Sequence, residues 1–465
     1  MKRENCWDSY GEQEMAELEE ICGRYRKCLD AGKTERECVS LVKEMAEQAG
    51  YRSLEAVIAE GTGLKAGDRV YACHMKKCIA LFQIGEKPIS EGMNILGAHI
   101  DSPRLDIKQN PLYEKEGFAY LDTHYYGGIK KYQWVTVPLA IHGTVVRKDG
   151  SCVQVVIGEK EEDPVFVVTD LLVHLSQKQM TKQAGTVIEG ENLDILFGSR
   201  PLRKTEELDE TEKEAVRANV LALLRDTYGI EEADFQSAEL EVVPAGKSRE
   251  CGFDRSMILG YGQDDRVCAF TSVFAMLDMG PLKRTAACLL VDKEEIGSVG
   301  ATGMHSMFFE NTVMELLALT EGESMLRLRR ALQRSRMLSS DVSAAYDPLY
   351  ADVFEKRSAA FFGKGLSFNK FTGSRGKSGS NDANAEYLAG IRRVLDEAGA
   401  AYQFSELGKV DAGGGGTIAY IMANYGMEVI DSGVAVLNMH APFEVSSKAD
   451  IYEAVKGYRA FLNWN

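Results

Sequence analysis

Ala286-Ala-Cys-Leu-Leu-Val291-Asp-Lys-Glu-Glu295 is the stretch of sequence that decides the fold class. Its six apolar residues in a row are typical of a parallel β-strand that is covered on both faces. Charged residues follow at once, at the carboxyl end of the strand, where the functional crevice of an open α/β sheet lies. From about residue 250 onward, strand patterns alternate with helical patterns. This alternation predicts an α/β fold with a largely parallel sheet.

Hydrophobic periodicity predicts the other elements. Thr34-Glu-Arg-Glu37 resembles a capping box, which marks the start of a helix. The predicted helices cover 12–31, 34–50, 209–228, 304–320, 325–337, 382–399 and 448–462. The predicted strands cover 68–75, 78–85, 94–101, 134–137, 141–146, 153–158, 239–244, 286–291 and 433–439.

Residues 104–245 differ in their predicted secondary-structure pattern from the sequence on either side. Short β-like runs, separated by Gly, Lys and Asp, replace the alternation of strands and helices. We therefore expect an inserted β-rich domain over 104–245. The interrupted domain would consist of residues 1–103 and 246–465.

Composition excludes several classes of protein. Lys and Arg number 54 and Asp and Glu number 70, so the net charge is −16, which disfavours nucleic acid or an anionic membrane as a partner. No apolar run is long enough for a membrane helix, and the acidic N-terminal sequence lacks the apolar region of a secretory signal. The ten cysteines are scattered singly, as expected for reduced thiols in the cytoplasm.

Five acidic or histidine-bearing segments are placed to form one site. Four stand at the ends of apolar runs, and the fifth, Ser339-Ser-Asp341, follows the predicted helix 325–337. A hydrolytic two-metal site needs imidazole and carboxylate ligands around a nucleophilic water. The residues that supply two imidazoles and three carboxylates are His99, Asp264, Glu295, Asp341 and His440.

Two further residues complete this hypothesis. Glu294 adjoins a predicted ligand and is left as a free carboxylate that takes a proton from the water. Asp101 lies two residues from His99 and can hold its second ring nitrogen. The alternative is chance, because a chain with 70 acidic residues contains acidic pairs without function, but two of only seven histidines stand at strand ends.

The five segments strongly resemble the aspartyl aminopeptidase family of dinuclear metallo-aminopeptidases. They occur in the family's order and span the chain from His99 to His440. The Asp-Lys-Glu-Glu and Met-His-Ala-Pro segments are specific, whereas the Asp-Asp pair alone is a weak signal. The matching segments are Gly97-Ala-His-Ile-Asp-Ser-Pro-Arg-Leu-Asp106, Gln263-Asp-Asp-Arg266, Asp292-Lys-Glu-Glu-Ile-Gly-Ser298, Ser340-Asp-Val342 and Met439-His-Ala-Pro-Phe-Glu444.

The resemblance implies a division of the ligands between two metal ions. His99 and Asp341 would hold one ion. Glu295 and His440 would hold the other, and Asp264 would bridge both. Zinc is the expected metal, with cobalt or manganese as alternatives.

The resemblance to the family also implies the roles of the neighbouring residues. Glu294 would be the general base, and Asp101 would position His99. The peptide bond between Asp264 and Asp265 would be cis.

The family architecture agrees with the change in texture along the chain. It implies a three-layer α/β catalytic domain with a mostly parallel central sheet, interrupted by a β-rich dimerisation domain, and assembly into a tetrahedral homo-dodecamer. Many members carry in the insertion a histidine that reaches a neighbouring subunit's site. Aligning Val168–Leu175 on that segment puts Asp170 at this position, and His174 matches a second histidine, which could act in its place or could pack at the subunit interface.

Specificity for acidic residues needs a cation near the substrate side chain. Ser374-Arg-Gly-Lys-Ser-Gly-Ser-Asn381 matches the segment where the family places basic residues for this purpose. Arg375 and Lys377 are therefore the candidates, the alternative being a glycine-rich basic loop without this role.

These observations predict a cytoplasmic, metal-dependent aminopeptidase that removes N-terminal residues from peptides, with a preference for Asp or Glu. Two alternatives stay open. One is a metallo-deacylase acting on other amides. The other is a catalytically inactive shell or cargo protein of the same fold, against which the complete ligand set argues.

Overall fold

The computed structural model describes residues 4–202 and 214–465, and these form two compact units. The first unit contains the described residues up to Ser102, together with Ser248–Met439 and Glu444–Asn465. The second contains the described residues of Pro103–Lys247, together with His440–Phe443.

The helices follow the hydrophobic periodicity closely at several positions. The first helix has the predicted bounds, and Thr34 caps the second because its side chain accepts a hydrogen bond from the Glu37 amide. In the described ranges the α-helices are α1 Glu12–Ala31, α2 Glu35–Gln48, α3 Leu54–Glu60, α4 Ala215–Tyr228, α5 Gln263–Leu277, α6 Phe308–Thr320, α7 Met325–Gln333, α8 Ala385–Ala398, α9 Ala419–Ala423 and α10 Lys448–Leu462.

The strands are short in most of the chain and longest near the start of the second unit. Those of the first half are β1 Arg52–Ser53, β2 Arg69–His74, β3 Cys78–Gln83, β4 Asn94–His99, β5 Arg104–Lys115, β6 Phe118–Tyr126, β7 Leu139–Val146, β8 Cys152–Ile157, β9 Val167–Val168 and β10 Ile195–Gly198. Those that follow are β11 Ala238–Pro244, β12 Arg249–Cys251, β13 Met257–Gly260, β14 Ala286–Val291, β15 Arg336–Ser340, β16 Ser343–Ala344, β17 Leu366–Asn369, β18 Tyr402–Phe404, β19 Glu428–Gly433, β20 Ala435–Leu437 and β21 Glu444–Ser447.

The first unit contains a nine-stranded sheet in the order β1-β2-β3-β14-β4-β15-β19-β17-β18. Its centre, β14-β4-β15-β19, is parallel throughout, whereas β3 pairs antiparallel with β14 and β17 antiparallel with β19. The prediction of an α/β fold with a parallel centre is confirmed, with antiparallel strands added on both sides.

Helices cover both faces of this sheet, as the apolar run of β14 predicts. Cys288 and Leu290 join a core that includes residues of α1, α5, α8 and α10. Ala287 and Leu289 alternate with them and join a second core with residues of α6, α7 and α9. The first unit therefore has three layers, helices, sheet and helices.

The other two sheets are smaller. The second unit has a seven-stranded antiparallel sheet in the order β8-β7-β11-β5-β6-β10-β9. A five-stranded sheet of the first unit, β12-β13-β21-β20-β16, contains the hairpin β12–β13.

Two local predictions are corrected, and a third lies partly outside the described residues. Residues 134–137 form a turn instead of a strand, because Thr136 adopts a positive φ of 62° and Pro138 follows. The predicted helix 325–337 ends at Gln333, and its last residues belong to β15, so Asp341 follows a strand and not a helix. The predicted helix 209–228 is observed as α4, and its first residues, 209–213, lie outside the described ranges.

None of the helices in the described ranges is long and apolar enough to cross a membrane.

Candidate metal centre

The parallel centre of the nine-stranded sheet brings three predicted site segments to one edge. β4 ends at His99, which lies opposite Val291 at the end of β14. Glu294 and Glu295 follow β14 in a short 3₁₀ turn, and Asp341 follows β15 on the other side of β4. The carboxyl ends of neighbouring parallel strands share this edge, which explains why residues so distant in sequence meet.

His99 is buried and held from both sides of its ring. Its Nδ1 lies 3.0 Å from the carbonyl oxygen of Asp101 and 3.3 Å from Oδ1 of the same residue. Its Nε2 lies 3.2 Å from Oδ1 of Asp264. Both neighbours of Nδ1 are acceptors, so a metal ion on Nε2 would place the proton of the neutral ring on Nδ1.

Asp101 also fixes the turn that carries the two glutamates. Its Oδ1 accepts a hydrogen bond from the Glu294 amide at 3.1 Å, and its Oδ2 accepts one from the Glu295 amide at 3.2 Å. The side chain is fully buried. One carboxylate therefore sets the positions of His99, Glu294 and Glu295 together.

Asp264 and Asp265 stand at the start of α5, where their backbone is not helical. The peptide bond between them is cis, as predicted. The Asp264 amide donates to Oε2 of Glu444 at 2.9 Å, and its carbonyl accepts a hydrogen bond from Oγ of Ser102 at 2.6 Å. Oδ2 of Asp265 accepts a hydrogen bond from the His99 amide at 3.3 Å, which ties the start of α5 to the end of β4.

Glu444 is a site residue to which sequence reasoning gave no role. It is buried at the start of β21 and orients the main chain of Asp264. It is the last residue of the Met439–Glu444 segment, so the signal was present in the pattern. An acidic residue at the start of an otherwise uncharged strand was the clue available.

Candidate ligand atoms form two overlapping groups within the first unit. In each group one donor atom from every residue lies within 4.8 Å of the others. The groups are His99 with Glu294 and Glu295, and His99 with Asp264 and Asp341.

The electrostatics of this edge are those of crowded carboxylates. Burial raises the pKa of Asp265 well above its usual range, and the charge of Asp264 adds to the effect. Burial likewise raises the pKa of Asp341, together with the charges of Asp265 and Glu294. Burial lowers the pKa of His99, but hydrogen bonds to Asp101 and Asp264 outweigh it, so that the net pKa is raised.

These donors fit divalent metal ions. Several carboxylates at one buried position repel each other, and a cation among them removes that repulsion. Imidazole nitrogen and carboxylate oxygen are the donor types that zinc takes in catalytic sites. The orientation of His99 by an acceptor on its far nitrogen is also typical of metal-binding histidines.

His440 belongs to the second unit, as the first residue of the segment His440–Phe443, which precedes β21. It adopts a positive φ of 65°, and its Nδ1 lies 2.8 Å from the carbonyl oxygen of Gly128 in the same unit. As with His99, a main-chain acceptor therefore lies beside Nδ1 and orients the ring.

Arg375 and Lys377 lie in the loop 372–380, where both have positive φ. Lys377 Nζ pairs with Oδ2 of Asp382 at 3.0 Å and lies 3.8 Å from the centre of the Phe371 ring. Arg375 is exposed. Two hydrogen bonds between Ser374 and Ser378 close the turn that presents both cations.

His174 lies in the second unit, in an exposed 3₁₀ turn, Val173–Leu175. Asp170, which was predicted to take the position of the family's histidine, accepts a hydrogen bond from Nε2 of Gln179 at 2.7 Å. The turn is unusually apolar for an exposed segment. The exposed apolar residues in and around this turn are Leu171, Leu172, Val173, Leu175 and Met180.

Comparison with known proteins identifies the family of this chain. The family model described as "Aminopeptidase I zinc metalloprotease (M18)" matches residues 28–462. The chain is 58% identical over 459 residues to "Probable M18 family aminopeptidase 1" of Clostridium acetobutylicum. This match covers 99% of this chain and 98% of that protein. The crystal structure of an M18 family aminopeptidase from Thermotoga maritima superposes with a TM-score of 0.94 at 42% identity, over 100% of both chains. The yeast mApe1 dodecamer, at 18% identity and a TM-score of 0.76 over 96% of this chain and 97% of that one, shares the fold.

The chain therefore belongs to the M18 family of zinc aminopeptidases, and it is a metal-dependent aminopeptidase. The predicted resemblance is confirmed at the level of this family. The two alternatives, a deacylase of other amides and an inactive shell protein, find no support among these relatives.

Proposed function

We propose that this aminopeptidase uses two metal ions and prefers peptides with an acidic N-terminal residue. The observation that carries the metal part is the position of Asp101, whose carboxylate contacts His99 and the amides of both Glu294 and Glu295. Such a shared support is expected where a metal ligand and a base must keep a fixed separation.

The ligands divide between the two ions as follows. His99 and Asp341 would hold one ion, Glu295 and His440 would hold the other, and Asp264 would serve both. When bound, the ions would act as Lewis acids towards the scissile carbonyl group and lower the pKa of the attacking water. Zinc is the metal in the family description, and cobalt or manganese are the alternatives.

Three observations on the chain support His440 as a ligand. Both flanking strands, β20 and β21, belong to the first unit, so the ends of the His440–Phe443 segment are fixed there. Glu444, four residues on, bonds to the amide of Asp264. The carbonyl oxygen of Gly128 holds Nδ1 of His440 and so orients its ring.

Glu294 is the general base in this proposal. Its Oε2 lies 3.9 Å from Nε2 of His99, too far for a hydrogen bond, while its amide is held by Asp101. Its side chain is 17% exposed, so that a water at the site is accessible to the carboxylate. The carboxylate would take a proton from this water and deliver it to the leaving amine.

Arg375 and Lys377 are the proposed readers of an acidic substrate side chain. The chain carries −16 overall, so a local cation is needed to attract an acidic peptide. Lys377 already has Asp382 as a partner, whereas Arg375 is exposed, and we therefore assign the larger part to Arg375.

In this proposal the chain also self-associates into a tetrahedral dodecamer. The second unit of each chain, which corresponds to the inserted domain predicted at 104–245, would form a dimer contact. The exposed apolar turn around His174 supports this, because such a cluster is typical of an interface. His174 would then lie at a neighbouring subunit, and a structural relative, yeast mApe1, is a dodecamer. The ten cysteines are free thiols, which supports a cytoplasmic location.

Aminopeptidase assays on matched substrates test this proposal. Nitroanilides of Asp, Glu, Leu and Met would be compared for the metal-loaded enzyme, a chelator-treated sample and a sample reloaded with zinc. We expect activity to be lost and restored with the metal, and to be highest on Asp or Glu. Activity that survives complete metal removal would contradict the metal part, and a preference for Leu or Met would contradict the specificity.

A further inference from the structure

A hydrogen-bonded turn joins β12 and β13 and presents one aromatic ring to solvent. The Arg255 amide donates to the Gly252 carbonyl at 3.1 Å, which closes a four-residue turn. Oδ1 of Asp254 accepts hydrogen bonds from both the amide and the hydroxyl of Ser256. Gly252 has a positive φ of 84°, which a glycine adopts at no steric cost. The ring that this turn presents, Phe253, is completely exposed.

Three arginines share a cleft with this ring, namely Arg26 of α1, Arg249 of β12 and Arg255 of the turn. We call these three residues and Phe253 the basic hairpin patch. The acidic residue that lines the same cleft, Glu250, divides its carboxylate between Lys448 at 2.7 Å and Arg255 at 3.3 Å. Within residues 4–202 and 214–465, no carboxylate forms an ion pair with Arg249. The patch therefore carries excess positive charge.

A single exposed apolar side chain is ordinary on a protein surface. An exposed aromatic ring beside three arginines is not ordinary, because aromatic residues and arginine are the types enriched in the centres of protein interfaces. The turn is also held by hydrogen bonds before any partner binds, so that docking would cost little ordering of the chain.

The positive charge of the patch favours a binding partner with an acidic surface. The whole chain carries −16, so the surface of a second copy is acidic on average and complementary to a local cluster of arginines. A tetrahedral dodecamer also needs more than one kind of contact, since a single two-fold interface closes at a dimer. The apolar turn around His174 belongs to the second unit, whereas the basic hairpin patch belongs to the first.

We propose that the basic hairpin patch docks onto a second copy of this chain and forms the contact that joins dimers into the larger assembly. The inference rests on the self-association stated under the proposed function. Phe253 is the anchor, and Arg249 and Arg255 pair with acidic groups of the neighbouring copy.

The test compares the mass of the full-length enzyme and its variants by light scattering over a range of protein concentrations. The variants are Phe253→Ser and the double charge reversal Arg249→Glu with Arg255→Glu. Lys65→Glu is the matched control, because Lys65 is an exposed cation in the loop before β2, outside the patch. Circular dichroism and the thermal midpoint show whether each variant is folded.

We expect the wild type and Lys65→Glu to have a mass near twelve times 51.3 kDa. Both patch variants should shift to dimers. The association constant of each contact should fall about 30-fold or more, which corresponds to the ~2 kcal/mol of an interface anchor. Folded patch variants that keep the mass and the concentration dependence of the wild type would overturn the inference but leave the dodecamer standing. A monomeric wild type would overturn both.

Discussion

Replacement of Glu294 by Gln separates the base from the ligands. The amide keeps the shape of the side chain, and the Glu294 main-chain amide still bonds to Asp101, so the turn should not move. What is lost is one carboxylate that can accept a proton. Loss of a general base costs about 10²- to 10⁴-fold in kcat, or roughly 3 to 5 kcal/mol of transition-state stabilisation.

Metal content is the second readout of this experiment. Glu294 is one of the residues whose oxygen lies within 4.8 Å of donors on His99 and Glu295, so it could also act as a ligand. If it is the base, Glu294→Gln keeps the full metal content and loses turnover. The assay measures kcat on an aminoacyl-nitroanilide together with metal per chain, with Glu315→Gln on the exposed side of α6 as control. Near-normal turnover would reject Glu294 as the base, and loss of metal in parallel with activity would make it a ligand.

Three further predictions concern the ligands, the substrate side chain and the buried acid of β19. Asp264→Asn should lose both metal ions together, because a bridging carboxylate serves two ions, and a variant that retains two tightly bound ions refutes the bridge. Arg375→Ala should lower kcat/KM for Asp and Glu substrates about 10- to 150-fold more than for Leu and Met substrates. Lys377→Ala should have the same effect but a smaller one. Equal losses on all four substrates would show that these cations do not recognise the acidic side chain. Burial raises the pKa of Asp431 to about 7. Between pH 4 and 7 the native protein therefore holds a proton that the unfolded chain has released. The free energy of unfolding should fall as pH rises through this window, by up to about 4 kcal/mol from this group. Asp431→Asn should remove that part of the slope in thermal unfolding of the metal-free protein, and parallel wild-type and variant curves would contradict it.

Strands β4 and β14, in the middle of the central sheet, could be predicted because they are buried on both faces. An uninterrupted apolar run as short as Ala286–Val291 is typical of such a strand, and the charged residues after it mark its carboxyl end. β15 was missed because Arg336-Met-Leu-Ser-Ser340 continues the helical pattern of α7 and ends in serines. Those serines are buried between β4 and β19, a tertiary environment that local sequence does not reveal.

The candidate site could be predicted by residue type and position but not by contact. Histidine is rare in this chain, so His99 at a strand end was informative. The dual role of Asp101 depends on the distance between β4 and the turn after β14, which only the folded sheet fixes. The contact of Glu444 with Asp264 likewise joins residues 180 positions apart.

Anomalous X-ray scattering from crystals of the enzyme, measured at the absorption edges of zinc, cobalt and manganese, tests the two-metal site most directly. It reports the number, identity and position of the metal ions in one experiment. We predict two ions per chain, with zinc as the metal, one bound by His99 and Asp341, the other by Glu295 and His440, and Asp264 in contact with both. A single ion per chain, or two ions of which neither touches Asp264, would contradict the proposed two-metal site.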